Sequence, residues 1–91
     1  MRIQFTDVYG PIGCGVAFPA ETDEGTIICI VTGAALSFAD NSPFAEDVSG
    51  QYERNRSLLR DAAEMLILAG RIKDGRVEIR QEDIHSRKAA A

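Results

Sequence analysis

The first apolar positions of the chain alternate: Ile3 and Phe5 against Arg2, Gln4 and Thr6. A period of two predicts a short half-buried strand. Gly10-Pro11-Ile12-Gly13 then reads as a turn by its punctuation. Cys14, Val16 and Phe18 alternate with Gly15 and Ala17, predicting a second strand that Pro19 ends or places at an edge. The stretch from Ala20 to Gly25 is polar and reads as a loop. Thr26-Ile27-Ile28-Cys29-Ile30-Val31 is β-branched and apolar on both faces, the pattern of the best-buried strand. The second and third strands form a hairpin. Its register stays open between Val16 opposite Ile27 and Val16 opposite Ile28. A slip of one residue turns every side chain over, so it also decides whether Cys14 faces Cys29.

Thr32 is a capping residue for a short helix, Gly33 to Ala39. Ser42-Pro43 reads as a cap and first-turn signal for a second helix running to Ala69, with Gly70 near its C-cap. Gly50 lies inside that helix, so a break near Ser49-Gly50, recapped by Ser49, is one alternative. Asp74-Gly75 is a tight turn. Arg76 to Arg80 alternates as a last strand, and Ile84 tucks under the sheet from a final turn. The order is β-β-β-α-α-β. It predicts a two-layer α+β domain over residues 1–85, a small antiparallel sheet with two helices packed on one face, and a flexible tail over 86–91.

At 100° per residue the long helix carries one apolar stripe: Phe44, Ala45, Val48, Tyr52, Leu59, Ala62, Ala63, Leu66 and Ile67. Asn55 falls inside it. A buried Asn must find partners, so it either bonds a nearby carbonyl or faces a ligand. Arg56 lies at the flank, where its guanidinium reaches a carboxylate ligand or a neighbouring acid. Tyr52, Asn55 and Arg56 are therefore the candidate ligand-binding residues. Leu58, Met65 and Leu68 line up on the opposite side, among Arg54, Asp61 and Glu64. An aligned apolar set there is a candidate interface, with a second copy or with another protein, unless other segments cover it.

Composition narrows the function classes. The 91 residues are 45% hydrophobic and 26% charged, ordinary for a globular domain and too few for two. No apolar run is long enough to span a membrane, and no signal peptide is evident, so the cytoplasm is the expected compartment and both cysteines should be buried thiols. The net charge of −4 argues against a nucleic-acid binder. The distribution is uneven. Residues 1–50 hold one basic residue against seven acids, and residues 51–91 hold nine basic against seven acidic. Arg54, Arg56, Arg60, Arg71, Lys73 and Arg76 form a basic cluster that motivates, against that net charge, the alternative of a nucleic-acid accessory protein beside the readings of an interaction or regulatory module and a small-molecule binder.

Catalytic chemistry is sparse. The only histidine, His85, stands beside the expected tail. The neighbouring carboxylates Asp23-Glu24, Glu46-Asp47 and Glu82-Asp83 are explained by capping and solvation. The glycines at 10, 13 and 15 lead into a strand, so they do not form a phosphate cradle. No cofactor or metal site is expected, and no enzyme activity.

Phe18-Pro19, the Ile28-to-Thr32 run entering Ala34-Ala35-Leu36, Tyr52-Glu53-Arg54-Asn55-Arg56, Ala62-Ala63, Gly70 and Asp83-Ile84 together resemble a short bacterial family known as Domain of Unknown Function 1488. The resemblance covers about Phe5 to Ile84, and Tyr52 to Arg56 is its most specific part. It implies a stand-alone α+β fold, a bacterial source and no established activity, and it brings no catalytic residue with it.

Overall fold

The structure, a computed structural model, describes residues 2–40 and 47–84. The elements are β1 (Ile3–Phe5), β2 (Gly10–Ile12), β3 (Gly15–Thr22), β4 (Gly25–Val31), α1 (Gly33–Ala39), α2 (Val48–Arg54), α3 (Arg56–Leu68) and β5 (Arg76–Ile79). A single helical turn follows at 81–84. One five-stranded sheet runs β1-β3-β4-β5, with β2 also paired to β3. The α+β class is as expected, but the sheet is mixed, since β5 pairs parallel with β4. The helices α1 to α3 intervene between those two strands. That is the length of connection a parallel pair needs, so the last strand returns in the direction of β4.

The hairpin register and the strand limits differ from expectation. Val16 lies opposite Val31, and Phe18 opposite Cys29, so neither alternative for the hairpin holds. The polar segment after Ala20 is strand up to Thr22, and only Asp23-Glu24 connects β3 to β4. Thr22 Oγ1 donates to the Gly25 carbonyl at 2.7 Å and closes that turn. Nor is 10–13 a plain turn. Gly10–Ile12 pairs with β3, and the reversal is Gly13-Cys14, with Gly13 supplying the positive φ of 55° that a two-residue hairpin favours at its first position. Cys14 is therefore exposed in a turn, not buried in a strand. Pro19 does not end β3. It sits between the last β1 pair at Ala20 and the first β2 pair at Ala17, an interval where no strand flanks it on that edge.

The helical half is cut differently as well. Thr32 Oγ1 accepts from Ala35 N at 3.1 Å and caps α1 as expected. The proposed start at Ser42-Pro43 lies outside the described residues, as do Phe44 and Ala45. The cap of α2 is Asp47, whose carboxylate accepts from Gly50 N at 2.9 Å, so Ser49 is not the cap. The break falls at Asn55 (φ −115°, ψ 17°), not at Gly50, because Asp47 uses the Gly50 N–H to start the helix. α3 ends in a Schellman motif: Gly70 at φ 76°, Gly70 N donating to Ile67 O and Arg71 N to Leu66 O, both at 3.0 Å. Asp74 (φ 55°) and Gly75 (φ 73°) form the tight turn, with both being left-handed as a type I′ turn requires.

The core lies between one sheet face and the helices. Val16, Phe18, Ala20, Ile27, Cys29, Val31, Val77 and Ile79 come from the sheet, and Leu36, Tyr52, Leu59, Ala63 and Ile67 are among those facing them. Ile84 closes one end, fully buried, as the final turn predicts. His85 and the 86–91 segment lie outside the described residues.

Candidate functional site

The Tyr52–Arg56 segment lies at a corner where the α2–α3 break meets the connection from β1 to β2. Four aromatic rings run through it. Phe5 and Phe18 are 6.0 Å apart between centroids, Phe18 and Tyr52 5.2 Å, and Tyr52 and Tyr9 4.5 Å. Alternation on β1 and β3 sends the two phenylalanines inward, and the helix stripe brings Tyr52 onto them. Tyr52 is 1% exposed. Tyr9 covers it, and its hydroxyl donates to Glu53. That bond raises the Tyr9 pKa, with burial and the Glu53 charge adding to it.

Two arginines one helical turn apart close the corner. Arg60 donates to the Thr6 carbonyl at 2.7 Å, and its guanidinium stands 5.6 Å over the Phe5 ring. Arg56 Nη1 lies 3.4 Å and Arg60 Nη2 3.9 Å from the same oxygen of Asp7, whose side chain is 93% exposed. Deeper in, Tyr52 Oη and Arg60 Nε are both buried without a hydrogen-bond partner. Burial pushes the Tyr52 pKa up, while the nearby Arg60 and then Arg56 pull it down. The phenol therefore keeps its proton at neutral pH.

Of the three candidate ligand residues, the structure thus gathers Tyr52 and Arg56 at one corner. Asn55 is placed otherwise: its Nδ2 donates to the Gln51 carbonyl at 2.9 Å, so it serves the helix break. Asp7, Tyr9 and Arg60 belong to the same corner. The four-residue spacing of Arg56 and Arg60 was a signal for a shared helix face. Asp7 and Tyr9 had none, being brought in from a distant loop. The remaining cluster disperses. Arg54 pairs with Asp40. Arg71, Lys73 and Arg76 line a cavity of about 600 Å³ that also holds Asp74, Glu78 and Asp83.

The acids have local duties. Asp23-Glu24 forms a hairpin connection, Asp47 caps α2, and Asp83 Oδ2 accepts from Arg80 N at 2.9 Å. Cys29 is buried, which pushes its thiol up to about 12, so it is no nucleophile at neutral pH. Among the described residues no group of three or more His, Cys, Asp or Glu could hold a metal, and no helix is long and apolar enough to cross a membrane.

A second surface lies on the sheet. β4 is apolar on both sides, but among the described residues the helices cover only one. Ile27, Cys29 and Val31 are buried; Ile28 is 37% exposed and Ile30 half-buried. Ile28 lies opposite Pro19, and Ile30 opposite Ala17. These four residues make an apolar square on the uncovered face, with Ile12, 47% exposed, nearby on β2. Glu21 flanks the square on the β3 side, held by Thr26 Oγ1 at 2.8 Å, and Arg76 flanks it on the β5 side beside Ile28. The helix set behaves differently: Leu58 packs against the core, Met65 is half-buried, and Leu68 is exposed.

A family model covers residues 3–79, nearly all of this architecture from β1 to β5. The chain belongs to the family described as protein of unknown function (DUF1488). No curated protein and no solved structure matches the chain. The DUF1488 match contains both surfaces, the aromatic corner and the open square of β3 and β4.

Proposed function

We propose that this DUF1488 protein is a non-enzymatic interaction module that pairs with a second copy of itself through the uncovered sheet face. The observation that carries the reading is the double-sided apolar pattern of β4 set against its one-sided burial. A sheet face left to solvent is normally polar. Ile28, Ile30, Pro19 and Ala17 are not, and burying them would remove their apolar area from water. Charge supports a second copy as the occupant. A two-fold axis along β4 exchanges the flanks of the square, carrying Arg76 of each copy toward Glu21 of the other. Leu58, Met65 and Leu68 are the lesser surface for this purpose, since Leu58 already packs against the core. The buried, protonated Cys29 favours binding over catalysis. A reducing bacterial cytoplasm suits such a module, because the exposed Cys14 stays a thiol there.

Sedimentation equilibrium tests it. The wild type should sediment as a dimer, and Ile28→Glu as a folded monomer with unchanged far-UV circular dichroism. Glu21→Arg and Arg76→Glu should each weaken the dimer, and the two together should restore it. A wild type that stays monomeric at high micromolar concentration refutes the reading, and so does a dimer indifferent to Ile28→Glu.

A further inference from the structure

We propose that the corner formed by Arg56, Arg60 and the Tyr52 hydroxyl is a binding site for a compact oxyanion group, a carboxylate or a phosphate, for which Asp7 is an internal stand-in. This site is separate from the sheet face and does not depend on dimerisation.

Three observations converge. First, the buried orphans. Tyr52 is nearly wholly inaccessible, yet its hydroxyl meets no acceptor, and the Nε of Arg60 beside it meets none either. A buried polar group without a partner is costly. The guanidinium can only donate, whereas the phenol oxygen can accept from it and the phenol still has its own proton to give. An acceptor oxygen for the Tyr52 hydroxyl is what the corner lacks.

Second, the outer half of the corner already holds a carboxylate, and holds it loosely. Charge-assisted N–H···O bonds settle at about 2.7–2.9 Å. Asp7 stands 3.4 Å from Arg56 and 3.9 Å from Arg60, and its side chain is almost fully in solvent. An exposed pair of that kind contributes little, so an external anion displaces it at small cost. Asp7 also stops short of the orphans, since neither of them counts it as a partner. A free anion is not tethered to the loop and can enter further.

Third, the cover is a separable piece of chain. Thr6, Asp7 and Val8 are exposed and outside any strand. Val8, 66% exposed, rests on the Thr6 hydroxyl at 3.3 Å. Among the described residues the loop's ties to the helices include the Arg60–Thr6 bond, the Asp7 pairs, the Tyr9–Glu53 bond and the packing of Tyr9 on Tyr52. Asp7 lies outside β1 and β2 and makes no ladder pair, so it can move aside without breaking the pairing of β1 or β3.

The site is tested by NMR titration of ¹⁵N-labelled protein, following backbone amides of residues 6–9 and 55–60 and the Arg Nε–H signals. The probes are sodium phosphate and sodium acetate at constant ionic strength, with sodium chloride as control. The wild type should show saturable shifts at Asp7 and at the Arg60 Nε–H, and the stronger of the two probes names the ligand class. Asp7→Asn should tighten binding about fivefold to tenfold by neutralising the competitor, whereas Arg56→Gln should weaken it by a similar factor. Tyr52→Phe keeps the ring packing and should weaken binding while the spectrum stays folded. If Arg60→Gln unfolds the corner, Arg60→Lys retains the charge without Nε and should also bind more weakly. Absence of saturable shifts at tens of millimolar would overturn the proposal, leaving a single bridging water as the partner of the two orphans. Binding unchanged by both Asp7→Asn and Tyr52→Phe would overturn it too.

Discussion

Replacing Gly15 by alanine should be the most damaging single-methyl change in this chain. A Cβ at Gly15 would lie 1.9 Å from the Val31 carbonyl oxygen, 3.0 Å from its carbon and 3.3 Å from Gly33 N. All three atoms are backbone. No rotamer change relieves the contact, so β3 or the end of β4 must move. Val31 is paired on both sides, with Val16 and with Ile79, and it precedes the Thr32 cap of α1. Displacing it disturbs two ladders and a helix start together. Overpacking of a core costs about 1–3 kcal/mol when side chains can adjust. With backbone as the obstacle the upper end applies, about 3 kcal/mol. In a domain of this size that lowers Tm by roughly 12–24 °C. Urea unfolding at 25 °C followed by circular dichroism measures it, with two companions as internal standards. Gly10→Ala meets nothing within 4 Å and should stay within about 0.5 kcal/mol of wild type. Gly33→Ala meets Cys14 Cβ and O at 2.9 Å, in a turn that can shift, and gains helix propensity, so it should fall between the two. A Gly15→Ala protein as stable as Gly10→Ala would refute the close approach of β3 to Val31.

Further expectations concern the caps and the thiols. Asp47→Ala should cost about 1 kcal/mol by urea unfolding through loss of the α2 cap, whereas Ser49→Ala should be near neutral. In native protein at pH 8 a thiol reagent such as dithionitrobenzoate should label the exposed Cys14 rapidly and Cys29 only after unfolding; equal rates would contradict the burial of β4. The Cys29 thiol is raised from 9.0 to about 12 on folding, so the native state holds this proton more tightly than the unfolded one. Its contribution is complete below pH 9 and is lost as pH climbs toward 12, at up to about 1.4 kcal/mol per pH unit. Cys29→Ala should be less stable but should lack that part of the alkaline slope, read from urea midpoints between pH 8.5 and 10.5.

What could be read from the chain alone follows from the range of the forces involved. Local signals were sufficient for the Thr32 cap, the Gly70 terminus and the Asp74-Gly75 turn, because each is decided within a few residues. Facing was equally legible on α3, where Leu59, Ala62, Ala63, Leu66 and Ile67 are all buried as a 3.6-residue period requires. Register was not. Whether Val16 meets Ile27, Ile28 or Val31 depends on how far β3 runs, and that rests on Thr22 tying down a two-residue connection and on Pro19 finding an interval without a flanking strand. The glycines at 13 and 15 show the same limit. They announce a backbone constraint, but only the fold reveals that one makes a turn and the other leaves room for the Val31 carbonyl. The corner divides along this line too. Tyr52 and Arg56 carry signals of their own in the helix period, and Arg60 follows from Arg56 by one turn. Asp7 has none, because its role exists only once the strand pairing of β1 with β3 sets its loop above α3. A corner assembled from one helix face and one distant loop is therefore half visible in sequence, and the visible half is the one that carries the positive charge.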